Sequence, residues 1–173
     1  RLPGVLEIII LLFIFAAEIL GELQSYFIQY PNWDTMLHTT NGFLCAAVGF
    51  SLIDILNRNA KIKFTLSPVY VALAAFCFSM TIGVLWEFFE FGMDRLFHMD
   101  MQKDTIVHTI SSVMLDPTNS NIPITIDGIT SVAVNGQDLG FSGYLDIGLY
   151  DTMEDLFVNF IGATVFSVIG YFY

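Results

Sequence analysis

Asp34 and His38 stand four residues apart, Glu87, Glu90 and Asp94 follow one another at spacings of three and four, and Asp151 has Glu154 and Asp155 three and four residues on. On a helix such spacings bring side chains onto one face, a turn apart. Carboxylates gathered with an imidazole in a partly dehydrated place repel one another unless they hold protons or share a cation, so the chemistry this set suggests is divalent-metal binding. Asp34, His38, Glu87, Glu90, Asp151 and Asp155 are the expected ligands. Glu22, four residues after Glu18, and Asp94 are the spare carboxylates that could act as general base towards a metal-activated water. Histidine among oxygen ligands suits Zn²⁺, Mn²⁺ or Fe²⁺, and Mg²⁺ or Ca²⁺ is favoured if histidine stays out, so the pattern does not choose the metal. Glu-x-x-His and His-Glu-x-x-His are both missing, and with them the usual di-iron bundle and zinc-protease signatures. No Ser/His/Asp or Cys/His order for a side-chain nucleophile is evident. Two metal-free readings stay open, a proton or polar-substrate pocket and helix-end acids facing water. Glu18 and Glu87 weigh against the second, because they fall at the hydrocarbon edge, where ionisable groups are costly.

The elements that must position these residues are membrane helices. Of 173 residues 55% are hydrophobic and 13% charged, with a mean hydropathy of +0.67; a soluble domain carries about a quarter charged residues. Stretches at 2–28, 35–56, 68–96 and 151–173 are each of the length, about 20 residues, that crosses a bilayer. Pro68 opens the third as a first-turn proline should, and Pro31 and Asn32 break the chain between the first two. The expected fold is an all-α polytopic membrane protein, one membrane domain over 1–173 with four transmembrane helices. Arg58, Lys61 and Lys63, joined by Arg1, place both ends in the cytoplasm by the positive-inside bias, with the excursion 97–150 outside. Within that excursion 102–113 is expected to form a short amphipathic helix and 122–137 a small β-hairpin turning at Asp127-Gly128. The excursion is an ordered surface segment or a lid.

Fifteen of the seventeen acids then lie at the outer helix ends or outer loops, with Glu7 and Asp54 as the exceptions. Asp34-Thr35-Met36-Leu37-His38, Asp104-Thr105-Ile106-Val107-His108 and Asp151-Thr152-Met153-Glu154-Asp155 share an Asp-Thr start and a potential ligand at the fifth position. Helix capping accounts for Asp and Thr in any one copy, though not for the fifth residue. Trp33, Trp86, Tyr26 and Tyr30 fit an interfacial aromatic belt. Gly42, Gly49, Gly83 and Gly162 read as close-packing positions between helices, and Asn41 and Asn159 as hydrogen-bonding groups within the bundle. Cys45 and Cys77 lie in apolar stretches without disulfide or zinc spacing. The net charge of −11 excludes nucleic acid as a partner.

Trp33-Asp34, His38 and Gly42, then Trp86-Glu87, Glu90 and Asp94, then Tyr150-Asp151-Thr152, Asp155-Leu156 and Gly162-Ala163 resemble the pattern of the YjdF-type bacterial inner-membrane protein family, a domain of unknown function. The resemblance spans the second to fourth helices and implies a multi-pass protein of the bacterial inner membrane. It brings no reaction, and this chain differs in its long, hairpin-bearing connection. Three functions follow as expectations: a metal-dependent membrane hydrolase acting on a lipid or envelope-linked substrate, a divalent-cation or proton-coupled transport or binding protein, and a structural assembly component. Membrane lipid is the expected partner, and small-residue seams allow a homo-oligomer.

Overall fold

Pro68, whose ring supplies a helical φ and whose missing N–H is harmless in a first turn, opens a helix of 30 residues. The computed structural model describes residues 4–57 and 66–172. The expectations resting on Arg1, Arg58, Lys61 and Lys63 lie outside the described residues. The helices are α1 (Gly4–Ile14), a π-helix (Phe15–Leu23), α2 (Tyr26–Gln29), α3 (Trp33–Asn57), α4 (Pro68–Phe97) and α5 (Leu149–Phe172). Among the described residues three helices, α3, α4 and α5, are long and apolar enough to cross a membrane, with mean hydropathies of 1.5, 2.0 and 1.5.

The first expected span differs. Eleven α-helical residues run into nine π-helical ones, and the helix stops at Gln24, whose N–H bonds to Ile19 O five residues back. Ser25 takes a left-handed φ of 58° and α2 follows. Gly21 lies under the Phe27 ring, where a Cβ would stand 2.4 Å from Cε2, so a side chain at 21 would require the ring to move.

The chain divides into two compact units, Arg1–Phe89 with Met153–Tyr173, and Glu90–Thr152. In the first, large apolar side chains face outward and small ones inward. Ala46, Ala75 and Ala163 have no exposed surface, and Gly42, Gly49, Gly162 and Gly170 are buried, while Leu52, Leu73, Phe157 and Val168 are exposed. Apolar surface of this extent belongs against lipid, where helices join through small residues and polar bonds rather than through hydrophobic burial. Ser79 Oγ supplies one such bond, donating to Gly42 O at 2.7 Å. The Asn57 amide supplies another at the helix end, accepting from Leu66 N and donating to Leu66 O.

The second unit replaces both local expectations for the excursion. Residues 102–113 form no α-helix. Ile106–Val107 (β1) pairs with Tyr144–Leu145 (β6), and Ile110–Ser112 (β2) pairs with Ile124–Ile126 (β3), followed by a single 3₁₀ turn at Val113–Leu115. Acids distant in sequence take the N–H groups that a helix would have used: Asp94 accepts from Met101 and Gln102, Asp151 from Lys103 and Asp146 from Thr105. The hairpin expected over 122–137 is shifted. Ala133–Val134 (β4) pairs with Gln137–Asp138 (β5) across Asn135-Gly136, both at positive φ as a two-residue hairpin turn requires. Asp127-Gly128 is not that turn, because β3 is taken by β2.

Asp116 accepts from the N–H and hydroxyl of both Thr118 and Ser120, bonds that hold its carboxyl far below the usual carboxylate range. The Thr109 hydroxyl and the Gly128 N–H lower Asp127 in the same way. A carboxyl depressed on folding contributes stability that is present above its unfolded value, about 4, and lost as pH falls through the folded value. Amide exchange of residues 116–128, corrected for its intrinsic pH dependence, is therefore expected to accelerate below about pH 4. Asp116→Ala should show that fast exchange at neutral pH, and an unchanged rate would refute the anchoring.

Candidate metal centre

The first turns of α3 and α5 carry the same start, Asp34-Thr35-Met36 and Asp151-Thr152-Met153, and each places its fifth residue one turn deeper. Those two fifth residues meet. His38 Nε2 lies 3.5 Å from Asp155 Oδ2 and 3.6 Å from Asp34 Oδ1. One ligand atom from each of Asp34, His38 and Asp155 lies within 4.8 Å of the others, and Glu87 on α4 brings a carboxylate oxygen within 4.8 Å of Asp155. Glu87 is 4% exposed and Asp155 3%, so both are carboxylates withdrawn from water.

A single ring nitrogen carries at most one hydrogen, and 3.5–3.6 Å is beyond hydrogen-bond length, so His38 Nε2 does not satisfy both acids by donation. One nitrogen thus faces two carboxylate oxygens without a hydrogen bond to both. Tetrahedral ligands at zinc-like bond lengths stand about 3.3–3.4 Å apart, close to the two His38 distances. Two carboxylates this near one another and this buried repel unless one holds a proton or positive charge lies beside them. The donor set, one imidazole nitrogen with carboxylate oxygens, fits a borderline divalent ion.

The other expected site residues are placed as follows. Glu90 is one turn beyond Glu87 on α4 and 7% exposed. Asp151 and Asp94 lie in the second unit, where Asp151 Oδ2 accepts from Lys103 N and the two oxygens of Asp94 accept from Met101 N and Gln102 N. Glu22 is exposed on the π-helix. Asp104 and His108 of the third Asp-Thr copy flank and follow β1 rather than starting a helix, and His108 Nδ1 lies 2.9 Å from Ile129 O. Burial first, then repulsion from Asp100, Asp146 and Asp94, pushes the Asp104 carboxyl up.

The sequence reading named Gly42 and Gly83 as close-packing positions and Asn159 as a polar group of the bundle, but did not join them into a layer beneath the cluster. His38, Glu87 and Asp155 are each one turn from Gly42, Gly83 and Asn159, and these three also meet: a Cβ on Gly42 would stand 2.3 Å from Asn159 O, and one on Gly83 2.7 Å from Asn159 Nδ2. The signal was a shared step of four residues on all three helices, running forward on α3 and α5 and backward on α4.

No curated protein and no solved structure matches the chain. A family model does, over residues 1–173, and its description, predicted membrane protein, agrees with the three long apolar helices and with the YjdF-type resemblance. The chain belongs to the DUF2238 family of membrane proteins.

Proposed function

We propose that this membrane protein holds a divalent cation between α3, α4 and α5 and uses it in hydrolysis of a lipid or envelope-linked substrate. The observation that carries the reading is His38 Nε2 facing Asp34 and Asp155 at 3.6 and 3.5 Å, a spacing suited to sharing an ion and too long for hydrogen bonds. Asp34, His38 and Asp155 are the ligands in this reading, with Glu87 beside Asp155. Zn²⁺, Mn²⁺ or Fe²⁺ suits an imidazole among carboxylates better than Mg²⁺ or Ca²⁺. A bound ion would lower the pKa of a coordinated water, and Glu22, whose exposed carboxylate has no described hydrogen bond, is favoured over Asp94 to receive its proton.

The finer membrane arrangement belongs to the same proposal. The helical run from Gly4 through the π-helix to Leu23 supplies a fourth crossing, and the basic residues between α3 and α4 favour a cytoplasmic side for that connection and for both ends, in a bacterial inner membrane. A reporter fused after Tyr173 reads that orientation directly.

Metal analysis by mass spectrometry on the detergent-purified protein tests the site. The wild type is expected to carry close to one ion per chain, and a His38→Ala, Glu87→Ala double variant of matched helicity to carry less than a tenth of that. Equal metal in both would end the assignment. A cation-transport reading needs acids or polar groups continuing through the inner half, where Glu7 and Asp54 are the acids the sequence offers.

A further inference from the structure

Asn159 is 1% exposed, and its Oδ1 has no hydrogen-bond partner among the described residues. Leaving a buried amide oxygen unmet in the apolar interior of a helix bundle is costly, because the oxygen gives up its water without gaining a donor. The amide orientation is fixed by its neighbour: Nδ2 lies 3.4 Å from Met80 Sδ, and a thioether can only accept, so the nitrogen belongs there and the oxygen is the orphan. The bundle is carved to receive this side chain. Gly42 on α3 and Gly83 on α4 both present a bare Cα to it, and a Cβ on Gly42 would stand 2.9 Å from Oδ1. In this layer Ser79 Oγ is committed to Gly42 O and Met80 Sδ to Asn159 Nδ2, and Asn159 Oδ1, one turn below Asp155 on the same buried face of α5, is left unmet among the described residues. Helical side chains lean towards the helix N-terminus, which on α5 is the direction of Asp155.

We propose that Asn159 is the neutral floor of the cation site, its amide oxygen accepting a hydrogen bond from a water on the inner face of the bound divalent cation. The inference rests on the cation reading given above. One turn of helix, about 6 Å, separates the Asp155 and Asn159 backbones, which suits a bridging water better than direct ligation. A neutral acceptor there orients a water without adding a further buried negative charge to a set that already holds Asp34, Glu87 and Asp155. Asn159 is on this account a positioning residue, acting on the ion through water.

Mn²⁺ binding to the full chain in detergent, followed by the electron paramagnetic resonance of free Mn²⁺, tests the assignment alongside melting temperatures with and without the ion. Asn159→Ala is expected to weaken Mn²⁺ binding about tenfold, the loss of one hydrogen bond in a charged setting. Asn159→Asp keeps the shape and adds a charge, so it should bind Mn²⁺ at least as tightly as wild type while melting lower without it. A wild-type chain that binds with Asn159→Ala within twofold of it overturns the role of Asn159 and leaves the cation site standing. Should Asn159→Ala fail to fold, Asn159→Asp decides, and weaker binding than wild type overturns the proposal. A wild-type chain that binds neither Mn²⁺ nor Zn²⁺ removes the cation reading and this inference together.

Discussion

A single methyl group at position 162 is expected to unseat α5 from α3. In Gly162→Ala the new Cβ would stand 2.1 Å from Thr39 O and 2.9 Å from Phe43 N, both backbone atoms of α3. No side chain can swing aside to admit it, so the helices must separate along the seam that Gly42 and Asn159 also occupy. Overpacking of this kind costs about 3 kcal/mol, at the upper end of the usual range, because backbone rather than a flexible side chain has to move. For a chain of this size that is a fall in melting temperature of roughly 6–12 °C. Gly92 on α4 is the matched control: nothing lies within 4 Å of its Cβ position, so Gly92→Ala should be neutral or raise stability by about 0.5–1 kcal/mol through helix propensity. Equal losses in the two variants would remove the argument from close approach. Because His38 and Asp155 face one another across the same seam, the proposed cation site predicts that Gly162→Ala also reduces bound metal, although neither residue is altered.

Asp155→Asn is expected to act in opposite directions with and without the ion. Asp155 is 3% exposed, and Glu87 and Asp34 each bring a carboxylate oxygen within 4.8 Å of it. In chelator-treated protein the substitution relieves repulsion among these acids, and the melting temperature should rise or hold. In protein given metal it removes what the proposed reading makes an anionic ligand, and the gain on adding metal should vanish. The size of that gain follows from linkage: an ion held at one hundred times its dissociation constant stabilises the folded state by about 2.7 kcal/mol. Thermal melts of wild type and Asp155→Asn, each with chelator and with excess Zn²⁺ or Mn²⁺, give four values whose crossing pattern is the prediction. A variant that melts below wild type with chelator and still responds fully to metal would place Asp155 in packing alone.

The parts of the molecule legible in the sequence are those governed by local periodicity. Pro68 opens α4, the Asp34 to His38 spacing holds on α3, and the repeated Asp-Thr start of α3 and α5 brings His38 and Asp155 together. Three features escaped for physical reasons. The π-helix differs from an α-helix by one residue in its hydrogen-bond register, and an apolar run such as Phe15-Ala16-Ala17 has no polar face to betray the change. The strands in the excursion are two or three residues long and pair across as many as 39 positions, Ile106 with Leu145, so no window of local alternation could assign them. The third Asp-Thr copy looked like a helix start, yet the N–H of Lys103 just before it and that of Thr105 within it are taken by Asp151 and Asp146, 48 and 41 residues away. Asn159 was visible as a polar residue in an apolar helix. Its meaning depended on Gly42 and Gly83, two residues that contribute by having no side chain.

The pairing of β1 with β6 gives the excursion a waist. Ile106 and Val107 meet Leu145 and Tyr144, Thr105 and Asp146 exchange two further hydrogen bonds, and Gly143 is pressed so close that a Cβ would stand 2.7 Å from Val107 O. Whatever hangs beyond that waist starts and finishes at the same place. Lengthening such a loop costs little, about 0.6 kcal/mol for each doubling, once its ends are held. The segment from 108 to 142 is therefore a natural splice point, a stretch that descendants of this chain can trim, extend or trade for unrelated sequence while the waist itself stays clasped.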